Sequence, residues 1–372
     1  SSITDGIGGF DELDDARGIT TVKIGEQTYA LVAAQADDGV QIIDISDPSK
    51  PVATSSITDG IGGFNVLDGV KTVTTTTING ATYALVGAIH DNGVQIINIS
   101  DPSKPVATSS ITDGIGGFDV LDGARGITIF KNENNTYAFV AAADDHGIQI
   151  ININDPSNPV ATSSIKDGME GFDDLGGVRA ITITNIESNN YAFTASKSDD
   201  AVQILNINNP SYPIAHSSIK DEVNGFTELN GAYGITTTTI SGDIYVLVAS
   251  LGDDGVQIIK VHTNTDQEEP IISGNHLIIG TKYHLANIKD YDGNLHGLLG
   301  DASTDVITGY KYQGKLDVNN DGTEEAIYTN KISGRWVTAS MDPLTGEIKY
   351  GDNGEGKTTR VVGIYEDPLV TA

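Results

Sequence analysis

Cysteine is missing from this chain. Its absence excludes disulfides and thiolate metal sites, and it leaves the redox compartment undecided. Basic residues are scarce: 21 Lys and Arg stand against 51 Asp and Glu, a formal charge of −30 at pH 7. A surface of that sign repels nucleic acid and anionic lipid, so neither is an expected partner, and it attracts divalent cations. No apolar run is long enough to span a bilayer, so direct membrane insertion is not expected either. Tryptophan occurs once, as Trp336. No secretory leader is recognisable and Ser1 falls inside a repeated unit, which leads us to expect a processed or truncated chain.

What the chain does contain is repetition. SSITDGIGGF begins at Ser1, Ser55 and Ser109, and the diverged SSIKDGMEGF and SSIKDEVNGF begin at Ser163 and Ser217, every interval being 54 residues. A fixed period marks units that cannot bury an apolar face alone and must stack on a neighbour. Within one unit, GITTVKI (18–24), TYALVAA (28–34), GVQIIDI (39–45) and PVATSSI (51–57) are short, rich in β-branched residues and punctuated by Gly, Asp, Ser or Pro. They read as strands. Tyr29, Leu31 and Ala33 alternate with Ala30, Val32 and Ala34, so both faces of the sheet are apolar and both should be buried. These features predict an all-β fold: a five-bladed β-propeller of 54-residue four-stranded repeats over residues 1–262, a linker over 263–269 and a small C-terminal β domain over 270–372. An open stack of sheets is the alternative. The fifth unit supplies only three strands, and residues 1–4 match a fourth, so pairing of 1–4 with 255–261 is expected to close the ring.

The long linker between units carries acidic residues, recurring glycines and a hydrophobic pair. Phe10, Phe64, Phe118, Phe172 and Phe226 recur with Leu13, Leu67, Leu121, Leu175 and Leu229 and should plug the gap between blades. Asp5, Asp11, Asp14, Asp59, Asp68, Asp113, Asp119 and Asp122 crowd one side of the disc. Carboxylates at such density repel unless neutralised. They are candidate calcium ligands, with backbone carbonyls completing the shell; the competing reading is turn capping. Arg17, Lys71, Arg125, Arg179 and Tyr233 begin the innermost strands, at the mouth of the predicted channel. Pairing of these cations with the linker aspartates is the preferred expectation, and an anion held in the channel is the sharper alternative.

The run YALVAAQADDGVQIIDISDPSKPVATSSI followed by ARGITTV resembles the LVIVD-type repeats of bacterial and archaeal surface proteins. That resemblance implies a propeller-like fold and adhesive or scaffolding roles at the cell surface, and it brings no catalytic residues. The non-periodic tail contains LDVNNDGTEEAIYTN, which is similar to the FG-GAP or VCBS-type calcium hairpins of large secreted, especially cyanobacterial, proteins. Asp317, Asn319, Asp321, Thr323 and Glu325 are the expected calcium ligands, since alternate oxygen donors around a glycine turn converge on a hard cation.

The seven histidines occupy unrelated repeat positions and form no metal-binding pair or nucleophile motif. The sequence therefore leads to a non-catalytic, calcium-stabilised structural or adhesion protein, extracellular or on the cell surface, part of a larger assembly. Its partners would be copies of itself, other surface proteins or glycans. A lectin-like propeller is one alternative, and a propeller hydrolase with a central calcium is another.

Overall fold

The computed structural model describes residues 1–132, 135–186 and 188–263, and beyond them the strands named below. By compactness the chain divides into two units, Ser1–Ile259 and Lys260–Ala372. Among the described residues there is no helix.

The first unit is the five-bladed β-propeller that the period predicts. Its first blade comprises β1 (Ala16–Ile24), β2 (Gln27–Ala34), β3 (Gly39–Asp44) and β4 (Val52–Thr58). The second comprises β5 (Val70–Ile78), β6 (Ala81–Ala88), β7 (Gly93–Asn98) and β8 (Val106–Thr112). The third comprises β9 (Ala124–Lys131), β10 (Thr136–Ala142), β11 (Gly147–Asn152) and β12 (Val160–Lys166). The fourth comprises β13 (Val178–Ile186), β14 (Asn189–Ser196), β15 (Ala201–Asn206) and β16 (Ile214–Lys220), and the fifth opens with β17 (Ala232–Ile240), β18 (Asp243–Ser250) and β19 (Gly255–Thr263). Each of the first four blades is an antiparallel meander in chain order. The innermost strands stand side by side, β1 against β5, β5 against β9, β9 against β13 and β13 against β17.

Packing follows the two-sided pattern of the strands. Tyr29, Leu31, Val40 and Ile42 of the first blade meet Ala84, Val86 and Ile97 of the second, with Phe64 and Leu67 of the linker wedged among them. Phe118 and Leu121 fill the next junction, and Phe172 and Leu175 the one after. The aromatic and aliphatic pair is thus the expected plug. Carboxylates hold each plug in place. Asp5, Asp59, Asp113, Asp167 and Asp221 each accept a hydrogen bond from the backbone N–H of the plug leucine eight residues on, at 2.8–3.1 Å. A buried linker amide without an acceptor would be costly.

The expected ring closure is not found. Residues 1–4 form no strand, and Lys260–Thr263 at the end of β19 run parallel to β20 (His276–Ile279). Strand β19 continues straight past the point where the earlier blades turn, because HTNTDQEEP replaces the DPSKP turn.

In the second unit β20 pairs with β28 (Val370–Thr371), and β21 (Tyr283–Lys289) lies between β22 (Leu295–Asp301) and β27 (Val361–Tyr365). Strands β23 (Lys311–Leu316), β24 (Glu325–Thr329), β25 (Trp336–Met341) and β26 (Ile348–Tyr350) form a meander. The expected calcium-loop residues Asp317, Asn319, Asp321 and Thr323 lie outside the described residues, and Glu325 is described only as the start of β24.

Candidate functional site

Every innermost strand begins with the same defect. The pairing of β1 with β2 steps from Ala16 to Gly18, skipping Arg17, and the equivalent steps skip Lys71, Arg125, Arg179 and Tyr233. A bulge of this kind leaves one residue out of the ladder and re-aims its side chain. The residue re-aimed in four of five blades is a cation. Gly18 and Gly126 follow two of these bulges and let neighbouring backbones touch: a Cβ on Gly126 would lie 2.7 Å from the Arg179 carbonyl oxygen and 3.0 Å from Ala180 Cα. The bulged side chains are therefore gathered at one end of the inner strands.

Their electrostatics corrects the expectation of pairing with the linker aspartates. Arg17 alone has a carboxylate partner, Asp15 at 2.8 Å. The ammonium of Lys71 donates to the neutral Oε1 of Gln35. Arg179 sits 5.4 Å above the ring centroid of Tyr233, a cation–π arrangement. Among the described residues no carboxylate lies within 4.0 Å of Lys71, Arg125 or Arg179. The Nε atoms of Arg125 and Arg179 are buried without a hydrogen-bond partner. Burial pushes the Lys71 pKa down, and Arg17, Arg125 and Arg179 push it further. Burial likewise lowers that of Arg125, with Arg179 adding to the effect. A protein of strong negative charge thus holds a compact group of cations at the expense of their solvation.

Several aspartates at this end act as backbone acceptors. Besides Asp5, Asp59 and Asp113 on the plug leucines, Asp37, Asp91 and Asp145 accept from the N–H groups of Asp14, Asp68 and Asp122 at 2.6–3.0 Å. Asp11 and Asp119 direct their own N–H groups onto Gln41 and Gln149. The pKa of Asp122 is raised first by burial and then by Asp144, Asp145 and Asp113. Among the described residues no group of three or more acidic or histidine side chains is drawn together as a metal centre.

The turns between the second and third strands complete the site. Their first two residues are Gln35-Ala36, Ile89-His90, Ala143-Asp144, Lys197-Ser198 and Leu251-Gly252. These are among the least repeated positions of the repeat. Their N–H groups bond to the linker carbonyls just before the bulges: Ile89 to Gly69 and His90 to Asp68, both at 3.2 Å. His90 Nδ1 also lies 2.8 Å from Asp68 Oδ1. A Cβ on Gly69, two residues before Lys71, would come within 2.7 Å of that ring. So the copies diverge where the cations gather, which makes the end asymmetric and polar. His90 and Asp144 are exposed, so along the sequence they read as ordinary surface residues. Superposing the copies position by position is the signal that singles them out.

Comparison with known proteins follows from this geometry. The LVIVD repeat matches residues 22–59, 82–113 and 134–167. No curated protein matches. Solved structures of similar architecture include a candidate 6-phosphogluconolactonase from Bacteroides uniformis, at 13% identity over 93% of this chain and 85% of that one, TM-score 0.48. They also include an exo-β-1,3-galactanase from Phanerochaete chrysosporium, at 12% identity over 67% and 59%, TM-score 0.42. A third is a thermostable family-43 glycoside hydrolase, at 13% identity over 70% and 92%, TM-score 0.38. The galactanase and the family-43 hydrolase are enzymes, so the expectation of a non-catalytic structural or adhesion protein is not sustained by these neighbours, whose likeness to this chain is one of fold alone. The three LVIVD-repeat matches fall one in each of the first three blades.

Proposed function

We propose that the propeller is a hydrolase of small anionic substrates, with its site at the bulged ends of the inner strands. The observation that carries this reading is the group Lys71, Arg125 and Arg179, gathered with no carboxylate within 4.0 Å among the described residues, Lys71 and Arg125 desolvated by burial and the Nε atoms of both arginines buried without a partner. Guanidinium groups match carboxylate and phosphate oxygens in paired geometry, so an anionic substrate group is the fitting occupant. The His90–Asp68 pair supplies the proton chemistry. Asp68 accepts the Nδ1 proton, which leaves Nε2 as the base. In ester or lactone hydrolysis Nε2 takes a proton from water as the water oxygen bonds to the acyl carbon. The carbon–oxygen bond to the leaving alcohol then breaks, and the proton passes to that alcohol. The cations stabilise the charge that develops on the carbonyl oxygen. An extracellular or surface location belongs to the same proposal and rests on the acidity of the remaining surface.

The test is a panel of carboxylate- and phosphate-bearing esters and lactones, with acid release followed by pH-stat and product binding by calorimetry. Arg125→Gln is expected to weaken binding about 10- to 100-fold, the value of one charge-assisted contact. His90→Ala is expected to abolish turnover with little change in KM. A wild-type chain that neither binds nor hydrolyses any member of the panel overturns the reading.

A further inference from the structure

The fifth blade is unfinished in a way that names its partner. Its residues 255–258, GVQI, repeat residues 39–42 letter for letter, and residues 1–4, SSIT, repeat residues 55–58. In the first blade those two segments pair, Gly39 with Thr58, Val40 with Ile57, Gln41 with Ser56 and Ile42 with Ser55. In the fifth blade the edge of 255–258 carries no strand among the described residues, since β20 pairs only with Lys260–Thr263.

Three observations show what fits that edge. First, the forward face of the blade is open. Val256 and Ile258 are 56% and 54% exposed, whereas Val40 and Ile42, the same residues of the first blade, are 0% exposed beneath the second. Second, the back face of the first blade is open in the complementary sense: Ile19 is 69% exposed, whereas its equivalents Val73, Ile127 and Ile181 are at most 9% exposed. Third, residues 1–4 already lie against the first blade as an outer strand of a preceding blade would. The Ser1 hydroxyl donates to the Pro48 carbonyl at 2.6 Å, as Ser55, Ser109 and Ser163 donate to Pro102, Pro156 and Pro210 from the fourth strands of finished blades.

A buried side chain points to the same partner. The Nε2 groups of Gln41, Gln95, Gln149 and Gln203 donate to the carbonyls of Ser55, Ser109, Ser163 and Ser217 on their fourth strands. The Oε1 atoms of Gln41 and Gln95 accept from the hydroxyls of Ser56 and Ser110. Gln257 is 4% exposed, and its Oε1 has no partner, a state it shares with Gln203 Oε1 of the finished fourth blade. In the first two blades, whose fourth strands read SSIT, that strand supplies a hydroxyl to this oxygen.

We propose that the fifth blade docks on the first blade of a second copy of this chain, whose residues 1–4 become its fourth strand. The expected register is Gly255 with Thr4, Val256 with Ile3, Gln257 with Ser2 and Ile258 with Ser1. The contact is head to tail, so it builds rings or filaments rather than two-fold dimers. It combines strand addition with burial of two apolar faces that are otherwise wet. It does not depend on the proposed hydrolase activity.

The chain has no cysteine to interfere with a crosslinking test. Full-length Ile3→Cys and Val256→Cys chains are mixed under mild oxidation. A disulfide-linked dimer in the mixture, far above the level in either chain alone, is expected. Sedimentation of the unsubstituted chain should show mass rising with concentration, and Val256→Asp should remove that rise while leaving the circular dichroism spectrum intact. No crosslink in the mixture overturns the proposal. So does a doubly substituted chain that closes its disulfide as a monomer, which would be a ring closing on itself.

Discussion

Glu12 occupies a linker position that Val66 and Val120 fill in the next two copies. It is buried, its Oε2 has no hydrogen-bond partner, and its Oε1 accepts a short bond from the Thr58 hydroxyl. Burial raises its pKa above the ordinary 4.5, Thr58 opposes the rise, and Asp37, Asp5 and Asp11 reinforce it. On raising the pH, unfolded Glu12 ionises first. The folded state then holds more protons between 4.5 and the raised folded value, so stability falls as pH climbs through that window and levels off above it. Glu12→Gln is expected to flatten this part of the stability–pH profile and to stabilise the fold at neutral pH by about 1 kcal/mol, measured by urea titration. Gly126 offers the opposite case. A methyl group there meets Arg179 and Ala180 backbone, which has no room to yield. Gly126→Ala should cost about 1–3 kcal/mol and weaken anion binding together with it, because the strand it displaces carries Arg179.

At the scale of elements, the blades were legible and the bulges were not. Period, alternation and punctuation announce a four-stranded unit, and the recurring Phe and Leu announce the plug. A one-residue register shift leaves no mark on composition. Arg17, Lys71, Arg125 and Arg179 therefore read as partners for the nearby aspartates, when three of them in fact have no carboxylate within 4.0 Å among the described residues. The aspartates are ambiguous for a related reason: a side chain that accepts from a linker amide and one that binds calcium require the same residue type. Leu121 is fully buried in its junction, whereas Leu13 packs only against the outer face of the first blade. Leu121→Ala should cost about 2–5 kcal/mol and Leu13→Ala distinctly less in dilute solution, both read from denaturant midpoints. Asp113→Ala, which strips the acceptor from the Leu121 amide, should cost about 1–3 kcal/mol.

For the whole molecule, the charge of −30 makes two opposed salt effects expected. Added sodium chloride screens self-repulsion and should raise the melting temperature. It should also weaken the binding of an anion to the Lys71, Arg125 and Arg179 group, as calorimetry at two ionic strengths would reveal. The loss of the DPSKP turn marks where the repeats end, but not that the last face stays open, because Val40 and Val256 stand in near-identical sequence, DDGVQII, and opposite surroundings of space. The same sameness bears on how the chain folds. SSIT at 55–58 and at 109–112 are interchangeable strands for GVQI at 39–42 and at 93–96. A wrong partner forms the same ladder and differs from the right one only in a loop roughly five times longer, a penalty of about 1.4 kcal/mol. That is a preference of only about tenfold for the native hairpin. Refolding from denaturant should therefore be slow and multiphasic, with a population of chains whose blades have exchanged their outer strands and must unzip before they can finish.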